Sequence, residues 1–239
     1  MQSLFGGKSP QEALAEDAAH AVEAITKLTS SGSELKGMPK SELHACQGLA
    51  FTFMRKLGAG ITLETGHGMV IRKIAAGTGP DGRATWKWSA PLVMKVASAG
   101  LGLSLGFSEM EAVTVLDTAE AVSAFAQSQW TIDTEMQGAI ANEGVRLPAT
   151  AINLTDTGLS DKTFAYSSSK GAIVDMSWSG TRYGVDAKAN AALYGEGVLP
   201  QAILDGSLPT PECMQQLYAA LDKIIEEFLA SQPVAARET

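Results

Sequence analysis

The chain has 239 residues, of which 45% are hydrophobic and 18% are charged, and its net charge is −8. These proportions are those of a globular protein and exclude a chain that is disordered over most of its length. The negative balance also argues against a general nucleic-acid binder, because such binding depends on neutralising phosphates. We expect one large domain, since β-rich units of roughly 200–250 residues often share a single core.

Cysteine usage and hydropathy bear on the compartment. The two cysteines, Cys46 and Cys213, are far apart and do not form a disulfide framework, so we expect a reducing environment. The first residues lack the pattern of a signal peptide, and no apolar run approaches the roughly 18 residues of a membrane span. These features predict a cytoplasmic protein that is peripheral, rather than transmembrane, wherever it meets a membrane.

The first element is a predicted helix from about Pro10 to Leu28. Ser9 can cap it, Pro10 suits its first turn, and Glu12 can complete a capping box. Apolar residues then recur at helical spacing. The expected polar face carries Glu12, Glu16, Asp17 and Glu23. An acidic face suits a helix docked on the core better than one lying on an anionic membrane.

The middle of the chain is predicted to be β-structure, because its apolar residues alternate or run in short blocks. The predicted strands are Gly48–Arg55, Met69–Ile74, Leu101–Phe107, Val113–Leu116, Phe164–Tyr166 and Ala172–Trp178. Four glycines in the first part are expected at turns or tight bends: Gly58, Gly60, Gly66 and Gly68. Trp86 and Trp88, one residue apart on a strand, are expected to pack on one face of a core.

Helices are predicted around these strands. Short ones are expected at about Lys40–Cys46 and Glu120–Ala126, and the last helix is expected from Pro211 to about Ala230, with Thr210 as its cap. No alternation of strands and helices indicates a parallel sheet. The prediction is therefore an α+β fold with antiparallel sheets, sandwich or barrel-like, and flanking N-terminal and C-terminal helices.

Two motifs resemble catalytic ones. Residues 102–106 satisfy G-x-S-x-G around Ser104, but that motif needs a sharp strand-to-helix turn and a downstream histidine, and the last histidine is His67. Residues 77–82 satisfy G-x-G-x-x-G, yet a dinucleotide site must open a helix and Pro80-Asp81-Gly82 is typical of a turn. His44 and Cys46 lack further ligands at a recurring spacing. We expect no catalysis, no cofactor and no metal.

The charges are segregated. Between Gln47 and Lys95 there are seven basic residues and two acidic ones, a net charge of +5, so the remainder sums to −13. Lys170 stands before Gly171 at the start of a predicted strand, where an ammonium could meet a phosphate. The basic residues form either a solvated face or a patch that meets an anionic surface.

Short segments spread over residues 38–221 stand in a characteristic order. They are Met38-Pro39, Cys46–Phe51, Trp88–Pro91, the glycine-alternating run Gly100–Phe107, Val113–Leu116, Ala165–Gly171, and Asn190 with Tyr194-Gly195. Together they resemble the SYLF family, a lipid-binding domain shared by fungal actin-patch proteins, an animal Src-homology-3 protein, plant FYVE proteins and bacterial lipoproteins. On this basis we divide the chain into an N-terminal helix and linker (1–36), a SYLF-like domain (37–230) and a tail (231–239).

The resemblance implies binding of phosphoinositides or other acidic lipids, in some members together with actin binding, and no catalysis. The chain departs from the family pattern at several positions. Gln47 replaces the usual lysine, Ser168 replaces the first lysine of a Ser-Tyr-Ser-Lys-Ser-Lys-Gly run, and the family's Gly-Pro-x-Gly-Arg turn is not recognisable near 139–146. Positive charges are therefore missing where lipid or actin contacts would be expected.

The resulting hypothesis is a non-enzymatic domain that binds acidic membrane lipid and links it to actin or another protein, without nucleic acid. The predicted lipid contacts are Arg55, Lys56, Arg72, Lys73, Lys87 and Lys170. The last four are expected to be exposed. A structural or assembly subunit that kept the fold and lost lipid binding is the first alternative, and an unrecognised enzyme is the second.

Overall fold

The computed structural model describes residues 8–30, 37–80, 82–126, 129–140 and 163–232, with backbone alone at 56–64, 98–108, 129–140 and 163–183. Within these residues the helices are α1 (Pro10–Ser30), α2 (Lys40–Ala45), α3 (Ala119–Phe125), α4 (Ala187–Tyr194), α5 (Pro200–Leu204) and α6 (Gln215–Ser231). The strands are β1 (Gly48–Thr78), β2 (Ala84–Trp88), β3 (Leu92–Leu116), β4 (Gln129–Ile140) and β5 (Thr163–Val185). The predicted α+β class is confirmed.

All strand pairings between the described residues are antiparallel. They join β2 to the end of β1, β1 to β3, β3 to β5, and β5 to β4. Gly48 lies opposite Leu116 at one end of the β1–β3 pair, and Val70 lies opposite Leu92 at the other. Every predicted strand lies within one of these elements, so the period-2 signals are confirmed.

No turn interrupts Gly48–Thr78, which is one strand, so the predicted turns at the first glycines are wrong. The predicted tight bend is found at Gly60, where the β1–β3 register shifts between Ala59 and Ile61. Its two halves lie against each other in antiparallel order, with Gly48 beside Ile71 at one end. A Cβ atom added to Gly68 would lie 2.3 Å from the carbonyl oxygen of Phe51, and one added to Gly66 would lie 2.3 Å from that of Phe53. Gly66 and Gly68 therefore allow two backbone segments to approach closely instead of reversing the chain.

Buried residues alternate between the two faces of the sheet. One face, the α6 side, packs against α1, α2 and α6 through strand residues such as Phe51, Ile71 and Val93. The other face, the α5 side, packs against α3 and α5 through Val70 and Leu92. Successive side chains of a strand point to opposite faces, which explains why neighbours along β1 join different clusters.

The helix ends test the capping residues that the sequence predicted. The capping box of α1 is confirmed, since the backbone N–H of Ser9 donates to the Glu12 carboxylate at 2.8 Å and the Glu12 N–H donates to Ser9 Oγ at 3.3 Å. The predicted Thr210 cap is wrong: a 3-10 turn, Glu212–Met214, precedes α6, and its N-cap is Pro211 without a side-chain bond. Asp17 is also not on the polar face of α1, because it is 6% exposed.

Candidate functional site

Two tryptophans of β2 share one carboxylate. The indole Nε1 of Trp86 lies 2.8 Å from Oδ1 of Asp222, and the Nε1 of Trp88 lies 2.9 Å from the same oxygen. Trp88 is buried and Trp86 is half-buried. Both rings lie on the α6 side of the sheet, so the prediction that they pack on one core face is confirmed. Asp222 accepts from two indole N–H groups, which would otherwise lose their hydrogen bonds to water on burial.

The segment that follows Trp88 is held by two tyrosines. The hydroxyl of Tyr218 donates to the carbonyl oxygen of Ser89 at 2.6 Å, and that of Tyr194 donates to the carbonyl of Pro91 at 2.7 Å. Burial raises the pKa of both phenols above the ordinary value, so both remain donors at neutral pH. Residues that carry the family resemblance therefore bond to each other inside the fold.

Asn190 has a similar structural role on β3. Its Oδ1 accepts from the backbone N–H of Val93 at 3.0 Å, and its Nδ2 donates to the carbonyl oxygens of Val93 at 2.8 Å and Asp186 at 2.9 Å. The Asp186 carboxylate caps α4 and lies 3.0 Å from the ammonium of Lys95. This buried network fixes α4 against the start of β3.

Of the predicted lipid contacts, Arg72 and Lys87 lie together on the α5 side. Lys87 stands opposite Ile74 in the β1–β2 pair. Ile74 follows Arg72 by two residues in β1, so Arg72 and Lys87 are diagonal neighbours on the same face of the sheet. The ammonium of Lys87 donates to the carbonyl oxygen of Gly206 at 3.1 Å. Lys87 is exposed, as predicted, whereas Arg72 is half-buried, which the sequence did not predict.

Lys73 points to the opposite side and is engaged within the chain. Its ammonium donates to the carbonyl oxygen of His44 at 2.6 Å, at the end of α2, and lies 4.6 Å from the ring centroid of Trp86. Burial lowers the pKa of this amine. The prediction that Lys73 is exposed is wrong, because its four-carbon stem lies along the junction of α2 with the sheet.

The other three predicted contacts lie elsewhere. Arg55 is exposed, and its Nε lies 3.2 Å from a carboxylate oxygen of Glu109. Lys170 of β5 stands opposite Glu109 of β3, which in turn stands opposite Arg55 of β1, so the three positions form one row across the sheet. Lys56 follows Arg55 in β1; the side chains of Lys56 and Lys170 lie outside the described part. The six residues therefore do not form one group: Arg72 and Lys87 lie together, Lys73 lies on the opposite side, and Arg55 and Lys170 belong to the row at Glu109.

A cleft of about 420 Å³ lies between the first half of α1 and strands β1 and β3. On its wall the Nε2 of His67 lies 2.7 Å from Oδ1 of Asp17, and the ammonium of Lys8 lies 2.5 Å from the Glu16 carboxylate. Sequence reasoning missed the Asp17–His67 pair. The signal for it was the position of Asp17 on the apolar stripe of α1, four residues before Ala21.

The structure also shows the backbone geometry of the two motifs that resemble catalytic ones. The backbone of β3 continues through Ser104 without a turn into a helix, so the nucleophile-elbow geometry is absent there. Gly77 and Gly82 flank a hairpin turn, closed by the Gly79 N–H donating to the Arg83 carbonyl oxygen at 2.7 Å, that leads into β2. Among the described residues, no group of three His, Cys, Asp or Glu could hold a metal ion.

Comparison with known proteins adds the following. The Ysc84 family model, described as "Las17-binding protein actin regulator", matches residues 97–224. The SH3 domain-containing YSC84-like protein 1 of Bos taurus is 28% identical over 225 residues, 93% of this chain and 62% of the relative. The protein of the same name in Homo sapiens is 27% identical over 215 residues, 90% of this chain and 59% of the relative.

A more distant relative is Protein YSC84 of Saccharomyces cerevisiae, which is 28% identical over 185 residues, 77% of this chain and 37% of the relative. The chain thus spans about 60% of the length of the two animal relatives, the printed shares being 62% and 59%. No solved structure matches significantly. None of the helices in the described ranges is both long enough and apolar enough to cross a membrane.

Proposed function

The chain belongs to the Ysc84 (SYLF) family, and from that premise we propose that it is a non-enzymatic, actin-regulating module that binds acidic lipid, with phosphoinositides as the lipid class. Two of the relatives are named LAS seventeen-binding protein 3 and Protein YSC84, and the family description names an actin regulator. The lipid part of the proposal rests on the placement of charge in this chain.

One observation carries the lipid proposal: Arg72 and Lys87 share the α5 side of the sheet, whereas the acidic surfaces of α1 and α6 lie on the α6 side. The exposed acidic residues of those helices include Glu12, Glu16, Glu23, Glu226 and Glu227. A basic residue near an anionic membrane contributes about 1 kcal/mol, attenuated over about 8 Å at physiological salt. The sheet lies between this basic pair and the acidic faces of α1 and α6, so the pair can approach a membrane before those helices do. Asp205 and Glu120 are acidic residues on the α5 side itself.

Sedimentation with vesicles tests the lipid proposal. The wild-type chain should sediment with phosphoinositide-containing vesicles at low salt and release as the salt concentration rises. Vesicles of neutral lipid serve as the control. If the chain stays in the supernatant with phosphoinositide vesicles at low salt, the lipid proposal is wrong.

The Arg72–Lys87 pair and the row at Glu109 can be tested separately. A variant with Arg72→Gln and Lys87→Gln should lose vesicle binding, whereas Arg55→Gln with Lys56→Gln and Lys170→Gln tests the row at Glu109. Lys73 is left intact, because its bonds to the end of α2 make it part of the fold. Sedimentation of the wild type with actin filaments, with and without vesicles, tests the actin part.

A structural or assembly subunit remains the second candidate, and a specific observation favours it. Lys73, Lys87 and Arg55 each bond to a group of this chain: the carbonyls of His44 and Gly206, and the carboxylate of Glu109. A wild-type chain that ignores both vesicles and actin filaments, yet copurifies in a defined complex, would support this candidate over the first.

A further inference from the structure

Arg72 contains a buried donor without a partner. Its Nε is inaccessible to solvent and has no hydrogen-bond partner among the described residues. A buried N–H that lacks an acceptor loses the full hydration of that group, and such groups are rare in folded proteins. The residue as a whole is half-buried. An acceptor from outside the chain would remove the deficit once the guanidinium turns to meet it.

Lys87 supplies a second positive charge at this place. It is the diagonal neighbour of Arg72 across the β1–β2 pair, at a distance that long side chains span. Its position is fixed by α5: the ammonium donates to the Gly206 carbonyl, and a Cβ atom added to Gly206 would lie 2.5 Å from Cδ1 of Ile74 and 3.2 Å from Cε of Lys87. Within the described part of the chain, two of the three ammonium donors of Lys87 remain for another acceptor.

Asp205 is the acidic group beside both cations. Its Oδ1 accepts from the backbone N–H of Ser207 at 2.8 Å. Hydrogen bonds from Ser207 lower the pKa of Asp205, and the positive charges of Arg72 and Lys87 lower it further. Both cations therefore act on one carboxylate, which agrees with their placement on one face. The carboxylate itself is exposed and directed to Ser207.

We propose that Arg72 and Lys87 form a binding site for a phosphate group, and that Asp205 is its internal competitor. A guanidinium donates two parallel hydrogen bonds to phosphate oxygens, and an ammonium adds a point charge. The inference rests on the proposed function and deepens it by naming where a phosphorylated headgroup binds. A lipid headgroup and free phosphate share this chemistry, so the experiment must separate the two sources.

The side-chain Nε–Hε signal of Arg72 in a ¹H–¹⁵N spectrum of the full chain reports directly on the site. Arg72→Lys assigns the signal by removing it. Inorganic phosphate should shift it saturably, whereas sodium chloride at the same ionic strength should not. Lys87→Gln should weaken phosphate binding about tenfold, the effect of one charge-assisted hydrogen bond. Asp205→Asn should tighten it about threefold, because a nearby exposed negative charge is removed.

Lys223→Gln is the matched control, since it removes the same charge from an exposed position on α6 and should leave phosphate binding unchanged. If phosphate does not shift the Arg72 signal, or if Lys87→Gln binds phosphate as tightly as the wild type, the site is wrong. The Lys87→Gln result does not depend on whether Arg72→Lys folds.

Vesicles distinguish the sources. Loss of phosphoinositide-vesicle binding in Lys87→Gln, together with the phosphate shift in the wild type, supports a headgroup site. A phosphate shift without any vesicle binding supports the site for free phosphate and contradicts the lipid proposal. Vesicle binding that is unchanged in Lys87→Gln, without a phosphate shift, leaves the lipid proposal standing and overturns this site.

Discussion

The Asp222 carboxylate of α6 accepts a hydrogen bond from the indole of Trp88 at 2.9 Å, across 134 residues of sequence. The Trp86 indole donates to the same oxygen at 2.8 Å. This carboxylate therefore connects the last helix to the β1–β2 hairpin through two donors at once. Such a connection makes Asp222 a stabilising residue rather than a surface charge, and its removal tests that role.

We expect Asp222→Ala to lower the free energy of unfolding by about 2–3 kcal/mol, because one fully buried and one half-buried indole lose their acceptor. Asp222→Asn keeps one side-chain oxygen and should lose less. Urea unfolding followed by tryptophan fluorescence measures both changes. Equal stability of Asp222→Ala and the wild type would show that water replaces the carboxylate at no cost.

The close approach of the two halves of β1 leads to a steric prediction. A Cβ atom on Gly68 would lie 2.3 Å from a backbone oxygen, which cannot rotate away. We expect Gly68→Ala to cost about 3 kcal/mol, the upper end of the usual effect of overpacking. Gly197→Ala is the control: its φ of 79° is strained for alanine, but nothing lies within 4 Å of the added Cβ. That change should cost about 1 kcal/mol.

Thermal and urea unfolding of the two glycine variants give the comparison. If Gly68→Ala is no less stable than Gly197→Ala, the two halves of β1 do not approach each other as closely as the structure indicates.

Local signals in the sequence predicted much of this fold. The capping box of α1 and the alternation within the strands act over a few residues, and both are confirmed. The continuity of β1 could not be predicted in this way. Gly66 and Gly68 fit a turn as well as a close approach of two backbone segments, and only contact with Phe51 and Phe53, about 15 residues away, distinguishes the two.

The sequence predicted which basic residues belong to the candidate site, but not which of them lie together in the fold. Arg72 and Lys73 are adjacent on a strand, so alternation alone places them on opposite faces, and the structure has them there. The partners that decide their roles are remote: His44 for Lys73, and the end of α5 for Lys87. Without related sequences, nothing in the chain indicates that these segments meet.

Asn190 tests whether the residues behind the family resemblance act in folding. Asn190→Ala should cost about 2–3 kcal/mol, because the buried backbone N–H of Val93 loses its acceptor. Asn190→Asp has the same shape but sets a carboxylate oxygen against the carbonyls of Val93 and Asp186, which accept from the amide in the wild type. It should be at least as unstable at neutral pH.

Urea unfolding of both Asn190 variants provides the measurement, and an exposed change on the same helix, Lys188→Gln, provides the control. An Asn190→Asp variant as stable as the wild type would contradict the donor role of the amide.

The last prediction concerns alkaline pH. Burial raises the pKa of the Cys46 thiol from 9.0 to about 12, and its Sγ donates to the carbonyl oxygen of Leu43 at 3.2 Å. The folded-state pKa is above the unfolded one, so the stability due to this thiol is complete below about pH 9 and is lost as pH rises towards 12. In that window the unfolded chain has released the proton and the folded chain keeps it. The free energy of unfolding should therefore fall by about 1.4 kcal/mol per pH unit through Cys46 alone.

Cys46→Ser keeps a donor of similar size that does not titrate, while the buried phenols of Tyr194 and Tyr218 still titrate in both proteins. Urea unfolding at a series of pH values should give parallel curves for the two proteins below pH 9 and a shallower decline for the variant above it, whereas parallel curves throughout would show that the thiol ionises as readily in the folded chain as in the unfolded one.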